Sequence, residues 1–134
     1  MILRSRLWPS ASTEEHLQEL KTYFNGKARE PHEVLVSEDS TGELSGFCEL
    51  SIRAYAESCS TDQVGYLEGW YVEAGHRRKG VGRSLVAAAE EWARAQGCTE
   101  FASDAESDNL VSTKAHRALG FEDVGLIRCF RKDL

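Results

Sequence analysis

The spacing of hydrophobic residues along the chain alternates between the period of a helix and that of a strand. After Ser12 the apolar residues recur at helical spacing, which predicts an amphipathic helix that ends near Asn25-Gly26. Ser12 and Glu15 form the S-x-x-E pattern of a capping box at its start. The residues expected on its buried face are Leu17, Leu20, Tyr23 and Phe24.

Three segments that follow have the character of strands. EVLVSE (33–38) and FCELSIR (47–53) flank the turn sequence DSTGELSG, which predicts an antiparallel pair. A polar loop over 54–63 then leads to VGYLEGWYVE (64–73), which is rich in β-branched and aromatic residues. Gly69 lies inside this third strand, and such a glycine often marks a bulge or the close approach of another group.

From Gly80 the helical period returns. One face of this predicted helix carries Val81, Leu85, Ala88, Ala89 and Trp92, with Trp92 expected in the core, and Gly97 is placed to end the helix. CTEFAS (98–103) predicts a short strand.

A last helix and one or two strands are predicted near the C-terminus. Asp108 is placed to cap the helix, which ends at Gly120, and the strand pattern lies in FEDVGLIRCF (121–130). The residues expected to face inward from this helix are Leu110, Val111, Ala115 and Leu119. The order of elements predicts an α/β fold with a mixed sheet, in a single domain spanning residues 1–134.

Composition narrows the classes of partner. The chain has 22 acidic and 16 basic residues and a net charge of -6, which favours a cationic partner and disfavours non-specific nucleic-acid binding. We find no signal peptide pattern and no apolar run of about 18 residues, so no membrane span is expected. Cysteines 48, 59, 98 and 129 lack C-x-x-C spacing, which argues against a metal site and predicts reduced thiols in a cytoplasm.

The stretch HRRKGVGRSL (76–85) places basic residues and two glycines at the start of a predicted helix. A helix N-terminus presents unpaired N–H groups and a partial positive charge. Gly80 and Gly82 would let a ligand approach this backbone, and Arg77, Arg78 and Lys79 add charge beside it. The pattern predicts a cradle for a phosphate group.

Two familiar phosphate motifs do not fit this stretch. A P-loop requires lysine after its second glycine, where this chain has Val81. The dinucleotide motif G-x-G-x-x-G requires glycine at Leu85, and Glu100, at the distance of a ribose-binding acid, does not rescue it. Two interpretations remain: the motif R-x-x-G-x-G over 77–82 as an acyl-CoA pyrophosphate loop, or a basic surface loop with helix-capping glycines.

Several longer motifs resemble those of the GCN5-related N-acetyltransferase (GNAT) superfamily, and within it the aminoglycoside 6'-N-acetyltransferases. They are GYLEGWYV, HRRKGVG, CTEFASDAESDN and AHRALGF, and they cover about half of the chain. RLWP (6–9) and SIR (51–53) resemble the same group. The resemblance implies the GNAT fold, a mixed sheet whose bulged central strand is splayed from its parallel neighbour and flanked by helices.

The resemblance also implies a binding site for acetyl-CoA. The splayed strand at Trp70, Tyr71 and Val72 would pair with the pantetheine arm, and a backbone N–H near Val72 would stabilise the oxyanion. Amides from Arg78 to Arg83, which include that of Val81, would hold the pyrophosphate. Asn109 corresponds to a position that hydrogen-bonds the pantetheine arm.

Two departures from the general superfamily pattern stand out. His116 occupies a position where many members have a tyrosine that protonates the departing thiolate, although the resembled subgroup also has histidine there. His116 is therefore either the general acid or a helix histidine satisfied by packing. In the resembled family a strand and much of a helix precede the LWP segment, whereas in this sequence LWP begins at Leu7. Either the chain is a shortened member or the first strand of the fold is missing from the sequence.

On the acceptor side, the resemblance places Glu68 and Asp104 against an amino sugar, with Glu68 as the candidate base. Glu68 and Asp104 lie at or near the ends of two strands, and these ends are expected to border the same crevice. Glu106 and Asp108 would extend the negatively charged wall of the acceptor site, or they are solvated acids of the loop. Trp8 and Tyr55 would offer flat surfaces to a sugar ring.

The function that follows is acetyl transfer from acetyl-CoA to the 6'-amine of an aminoglycoside, by direct attack in a ternary complex. One alternative keeps acetyl-CoA but acetylates another small amine, a polyamine or a peptide amine. The other is a non-catalytic acyl-CoA-binding module, which has no need of acids at 68 and 104. The resemblance further implies a homodimer.

Overall fold

The computed structural model describes residues Met1–Leu134 and follows most of the predicted order of elements. Contacts divide the chain into two units, Met1–Asp104 and Ala105–Leu134. The first unit contains α1 (Ile2–Leu7), α2 (Thr13–Phe24), β1 (Glu33–Glu38), β2 (Leu44–Arg53), β3 (Val64–Val72), α3 (Val81–Ala95) and β4 (Phe101–Ser103). The second unit contains α4 (Leu110–Ala118). Of these elements, only α1 has no counterpart in the sequence prediction.

A four-stranded mixed sheet in the order β1-β2-β3-β4 organises the first unit. β2 pairs with β1 and β3 in antiparallel fashion, and β3 pairs with β4 in parallel. The register between β2 and β3 shifts from Glu49↔Gly69 to Leu50↔Leu67, so Glu68 is the extra residue of a bulge. The predicted mixed α/β fold with a bulged central strand is confirmed.

The parallel pairing of β3 with β4 is short. It covers only Gly65, Tyr66 and Leu67, while β3 continues to Val72. Beyond Leu67, β3 therefore has a strand neighbour only on its β2 side. This is the splay that the GNAT fold implies, and it leaves backbone groups at the end of β3 outside the sheet ladder.

The core lies between the sheet and α3. Leu50, Val64 and Leu67 from the sheet are fully or almost fully buried. The buried stripe of α3 consists of Leu85, Val86, Ala89 and Ala93. The buried face differs slightly from the predicted one. Ala88, which was expected to be buried, is exposed, and Trp92, which was expected in the core, is half-buried. Gly97 follows the helix with a positive φ, as predicted for its C-terminal end.

Helix α2 combines a polar cap at its start with a partly buried apolar face. The capping box of α2 is confirmed, because Ser12 and Glu15 exchange hydrogen bonds between side chain and backbone. The predicted apolar face is only partly correct: Leu17, Leu20 and Tyr23 are half-buried, and Phe24 is 79 % exposed. The buried residue of α2 is His16, which the apolar pattern could not identify.

The second unit differs from its prediction in three respects. Asn109, and not Asp108, caps α4, since its side chain accepts a hydrogen bond from the N–H of Ser112. None of the residues of α4 is buried, and Leu110 and Val111 are exposed. Residues 121–130 form no strand. A strand requires a hydrogen-bonded neighbour, and the second unit contains no other strand to provide one.

No helix of the structure is both long and apolar enough to cross a bilayer.

Candidate active site

The loop between β3 and α3 has the backbone shape of an anion cradle. Arg78 and Gly80 both adopt positive φ angles, of 61° and 83°. Gly80 occupies the N-cap position of α3, and no side chain caps this helix end. The first-turn N–H groups of α3 therefore have no capping side chain, and basic residues surround them.

The two glycines of this loop meet different needs. A Cβ on Gly80 would find nothing within 4 Å, and Gly80 itself is exposed, so the N-cap position of α3 is open to solvent. A Cβ on Gly82 would lie 2.9 Å from the ring of Trp70. Gly82 therefore lets α3 pack against the aromatic side chain of β3. The open, cationic helix terminus suits a pyrophosphate, so the residues present fit acetyl-CoA at this place.

The end of β3 is shaped by Arg77. Its Nε donates to the carbonyl of Val72 at 2.9 Å, and its guanidinium carbon lies 5.6 Å from the Tyr71 ring centroid. Arg77 thus ties the cradle loop to the last residue of the splayed strand. Arg78, Lys79 and Arg83 are exposed, with their charges at the surface of the cradle.

Glu68 lies at the bulge and is paired with an arginine. The guanidinium of Arg53 donates to both carboxylate oxygens, with Nε–Oε1 at 2.8 Å and Nη2–Oε2 at 2.6 Å. Both side chains retain solvent access, at 37 % for Arg53 and 21 % for Glu68. The hydrogen bonds with Glu68 raise the pKa of Arg53 above its ordinary value, so the guanidinium is charged at all working pH values.

Asp104 is connected to the same cluster through Tyr66. The Tyr66 hydroxyl donates to Oδ2 of Asp104 at 2.7 Å. Burial, followed by this hydrogen bond, raises the pKa of Tyr66 above its ordinary value, so the hydroxyl stays protonated. The guanidinium carbon of Arg53 stacks 3.6 Å from the Tyr66 ring centroid. Arg53 and Tyr66 therefore link the two carboxylates that the sequence singled out.

A cavity of about 650 Å³ opens beside Glu68. Trp8 lines it, and the ring of Trp8 also packs edge-on against Phe47, with centroids 6.2 Å apart. A Cβ on Gly69 would lie 2.5 Å from this ring, so the glycine inside β3 makes room for Trp8. Tyr55 does not line the cavity and is 67 % exposed. Of the two predicted flat surfaces, only Trp8 lines the same cavity as Glu68.

A polar network that the sequence did not reveal lies in the same cavity wall. The Arg4 guanidinium donates to both Glu49 and Glu19, and it lies 3.4 Å from Nδ1 of the buried His16. Burial raises the pKa of Glu49 although Arg4 opposes the shift. The sequence did contain a signal, because Glu49 is an acid among the apolar residues of FCELSIR, and it lies within the buried run of β2.

In the second unit, Asn109 and His116 lie at opposite ends of α4. Nδ1 of His116 is 2.8 Å from the carbonyl of Ser112, which can only accept, so Nδ1 carries the proton of the neutral ring. The ring also packs edge-on against Phe121, with centroids 5.1 Å apart. Glu106 and Asp108 are exposed in the loop before α4. No group of three or more His, Cys, Asp or Glu side chains is arranged to hold a metal ion.

The first unit thus combines an open, basic helix terminus at the end of the splayed strand with two carboxylates, Glu68 and Asp104. The profile of the Acetyltransferase (GNAT) family matches residues 2–121, and the chain belongs to this family. It is 52 % identical over 132 residues to the aminoglycoside N(6')-acetyltransferase type 1 of Klebsiella aerogenes, covering 98 % of this chain and 87 % of that protein.

Solved structures agree with the family assignment. AAC(6')-Iy in complex with the bisubstrate analogue CoA-S-monomethyl-acetylneamine superposes with a TM-score of 0.89 at 33 % identity, covering 98 % of this chain and 88 % of that one. The aminoglycoside 6'-N-acetyltransferase AAC(6')-Ih from Acinetobacter baumannii also gives a TM-score of 0.89, at 36 % identity, covering 99 % of this chain and 88 % of that one.

Proposed function

We propose that the protein transfers the acetyl group of acetyl-CoA to the 6'-amino group of an aminoglycoside. The observation that carries the proposal is the pair of carboxylates, Glu68 at the bulge of β3 and Asp104 directly after β4, linked by Arg53 and Tyr66. Relatives that are 52 % and 36 % identical to this chain bear the name aminoglycoside N(6')-acetyltransferase type 1. The solved complex of AAC(6')-Iy joins CoA to an acetylated aminoglycoside fragment.

The cradle residues supply the acetyl-CoA site in this proposal. Backbone amides from Arg78 to Arg83 hold the pyrophosphate, with the exposed basic side chains adding charge attraction. Trp70, Tyr71 and Val72 lie on the part of β3 that β4 leaves unpaired, where an extended chain can add to the strand. Acetyl-CoA supplies an activated acetyl thioester. Asn109 contributes a side-chain amide that can donate to the pantetheine arm.

The carboxylates prepare the acceptor. An ammonium has no lone pair, so it must lose a proton before the nitrogen can attack. Glu68 attracts the ammonium and collects that proton, directly or through water. Asp104 binds a second positive charge of the acceptor, while Trp8 supports the sugar ring from the cavity wall.

His116 is the candidate proton donor to the departing thiolate. Because Nδ1–H is engaged by the Ser112 carbonyl, only the doubly protonated ring carries a proton on Nε2 that it could donate. Packing against Phe121 fixes the plane of the ring. Glu106 adds negative charge on the loop that precedes α4.

Direct transfer fits the state of the thiols in the first unit. Cys48 is completely buried, and burial raises its pKa to about 12. Burial also raises the pKa values of Cys59 and Cys98. None of these cysteines is an activated nucleophile for an acetyl-cysteine step.

Two further parts of the proposal concern the cellular compartment and the oligomeric state of the enzyme. We place it in the cytoplasm, because it uses acetyl-CoA and its four cysteines are unpaired. We also propose a homodimer. The second unit exposes the large apolar side chains Leu126, Ile127 and Phe130, at 80 %, 68 % and 88 %, and a second copy could cover them.

The test is steady-state acetylation of a kanamycin-type acceptor by Glu68→Gln, Asp104→Asn and the wild type. A charged hydrogen bond is worth roughly 1.5–3 kcal/mol when buried and less when exposed, so Asp104→Asn should raise the acceptor KM about fivefold to thirtyfold. Its affinity for acetyl-CoA should be unchanged. Glu68→Gln should also lower kcat and flatten the rise of rate with pH.

Asp62→Asn, in the exposed loop before β3, is the matched control and should behave like the wild type. Acceptor kinetics of Asp104→Asn equal to those of the wild type would contradict the acidic acceptor site. A wild type that acetylates polyamines or peptide amines in preference to aminoglycosides would favour the first alternative. Acetyl-CoA binding with no thiol release for any amine would favour the non-catalytic alternative.

A further inference from the structure

The candidate base is not a bare carboxylate. Arg53, the last residue of β2, engages both oxygens of Glu68 in the planar, two-bonded geometry that a guanidinium and a carboxylate prefer. An acceptor ammonium that is to reach Glu68 must take the same oxygen atoms. The proposed function therefore contains a competition between a cation of the protein and a cation of the acceptor.

The position of Arg53 is held from a second side. Its guanidinium lies over the ring of Tyr66, which is 6 % exposed and whose hydroxyl is bonded to Asp104. Because the ring is fixed by its burial, the arginine has a resting place even when Glu68 is taken by another cation. Arg53 can therefore release Glu68 without losing its contact with the protein.

The solvent access of both partners makes the exchange feasible. The Arg53–Glu68 pair is partly exposed, at 37 % and 21 %. Fully exposed ion pairs contribute roughly a fivefold factor or less in an equilibrium constant, because water and salt screen them, and partial exposure extends some of this screening to the present pair. A deeply buried pair could not be opened in this way.

We propose that Arg53 is a specificity-determining residue that occupies, in the acceptor-free protein, the place at Glu68 taken by the acceptor ammonium during the reaction. This inference rests on the proposed function. A singly charged amine exchanges one cation for another at Glu68 and gains little. An aminoglycoside binds Asp104 with a second ammonium and so offsets the displacement of Arg53. Arg53 thus selects for multiply charged acceptors.

The experiment compares two acceptors that share the reacting group. One is a kanamycin-type aminoglycoside, and the other is a 6-amino-6-deoxyhexose with a single amine. Arg53→Gln removes the internal cation and should raise kcat/KM for the single amine by about threefold to fivefold, the factor expected from a partly exposed ion pair. The aminoglycoside should change less, so the ratio of the two kcat/KM values should fall.

Two further variants complete the design. Arg53→Lys keeps the charge but loses the two-bonded fork, and it should give an intermediate ratio. Arg94→Gln removes an arginine that pairs with acids on the exposed face of α3, and it should leave the ratio unchanged. Thermal unfolding and acetyl-CoA affinity of each variant show that the fold and the cofactor site are retained.

Other changes in kcat/KM would overturn the inference. If Arg53 instead orients Glu68 for catalysis, Arg53→Gln will lower kcat/KM for both acceptors together, and the inference is overturned. An unchanged ratio, or a single amine that stays undetectable with Arg53→Gln, overturns it as well. A wild type that acetylates no aminoglycoside defeats the proposed function itself, which the wild-type assay reports before any variant is made.

Discussion

At the scale of single residues, the two glycines of the cradle show that one motif can satisfy two physical requirements. Gly80 has a φ of 83° with open space around it, so glycine is favoured here because of the backbone conformation. Gly82 lies in the first turn of α3, and glycine is required there for steric reasons, since the Trp70 ring occupies the place of a side chain. The proposed acetyl-CoA cradle and the packing of β3 against α3 therefore meet at Gly82.

We predict different effects for alanine at these two positions. Gly80→Ala should cost about 1–2 kcal/mol, the strain of a left-handed conformation in an L-residue, and should leave the environment of Trp70 unchanged. Gly82→Ala should displace the Trp70 ring, lower stability by about 1–3 kcal/mol through overpacking, and weaken acetyl-CoA binding. Urea unfolding, calorimetry and tryptophan fluorescence report these effects.

The control for the fluorescence is Trp70→Phe. The spectral change caused by Gly82→Ala should disappear in that background, because the three atoms nearest to a Cβ at Gly82 all belong to Trp70. A Gly82→Ala variant with wild-type fluorescence and wild-type acetyl-CoA affinity would show that the helix terminus can shift to accept the methyl group.

At the scale of elements, the loop that precedes β3 is held in place by one acidic side chain. Glu100 precedes β4 and accepts hydrogen bonds from the backbone N–H groups of Ser60 and Thr61 and from the Thr61 hydroxyl. These bonds lower the pKa of Glu100, the Thr61 side chain contributing most. Glu100 therefore ties the loop over 54–63 to the start of β4.

We predict that Glu100→Gln destabilises the protein in a manner that depends on pH. Because the pKa of Glu100 is lowered in the folded protein, its contribution is present above the ordinary glutamate value near 4.5 and is lost as pH falls through the folded value. The difference in unfolding free energy between wild type and variant should be constant near neutral pH and should shrink below about pH 4.5.

Thermal or urea unfolding from pH 7 to pH 3 measures this difference. Glu91→Gln, which removes a charge from the exposed face of α3, is the control. A difference for Glu100→Gln that grows on acidification would contradict the assignment of a lowered pKa.

At the scale of the whole molecule, the proposed homodimer has its interface at the exposed apolar side chains of the second unit. We expect light scattering to give a molar mass near twice 14.9 kDa at micromolar concentration. Phe130→Ser, at the most exposed of the aromatic side chains, should shift the protein toward monomer if a second copy covers this segment. Lys132→Ser is the matched control, because it changes an exposed polar position nearby. A monomeric wild type contradicts the proposed dimer, and a dimeric Phe130→Ser variant shows that the interface lies elsewhere.

The sequence by itself determined the elements whose signals are local. The capping box at Ser12, the strand EVLVSE, the glycine that ends α3 and the bulge marked by Gly69 are all present where the pattern predicts them. Each depends on residues a few positions apart, so propensity and spacing are sufficient. The long motifs around HRRKGVG identified the family for the same reason, since they are continuous in sequence.

Only the tertiary structure decided which side chains meet across the sheet. Arg53 and Glu68 are separated by 15 positions, Tyr66 and Asp104 by 38, and Arg4 and Glu49 by 45, and no local pattern records such distances. The burial of His16 and the role of Gly82 also depend on partners from other elements. The predicted closing strands were wrong because a strand is defined by its neighbour, and alternation alone does not supply one.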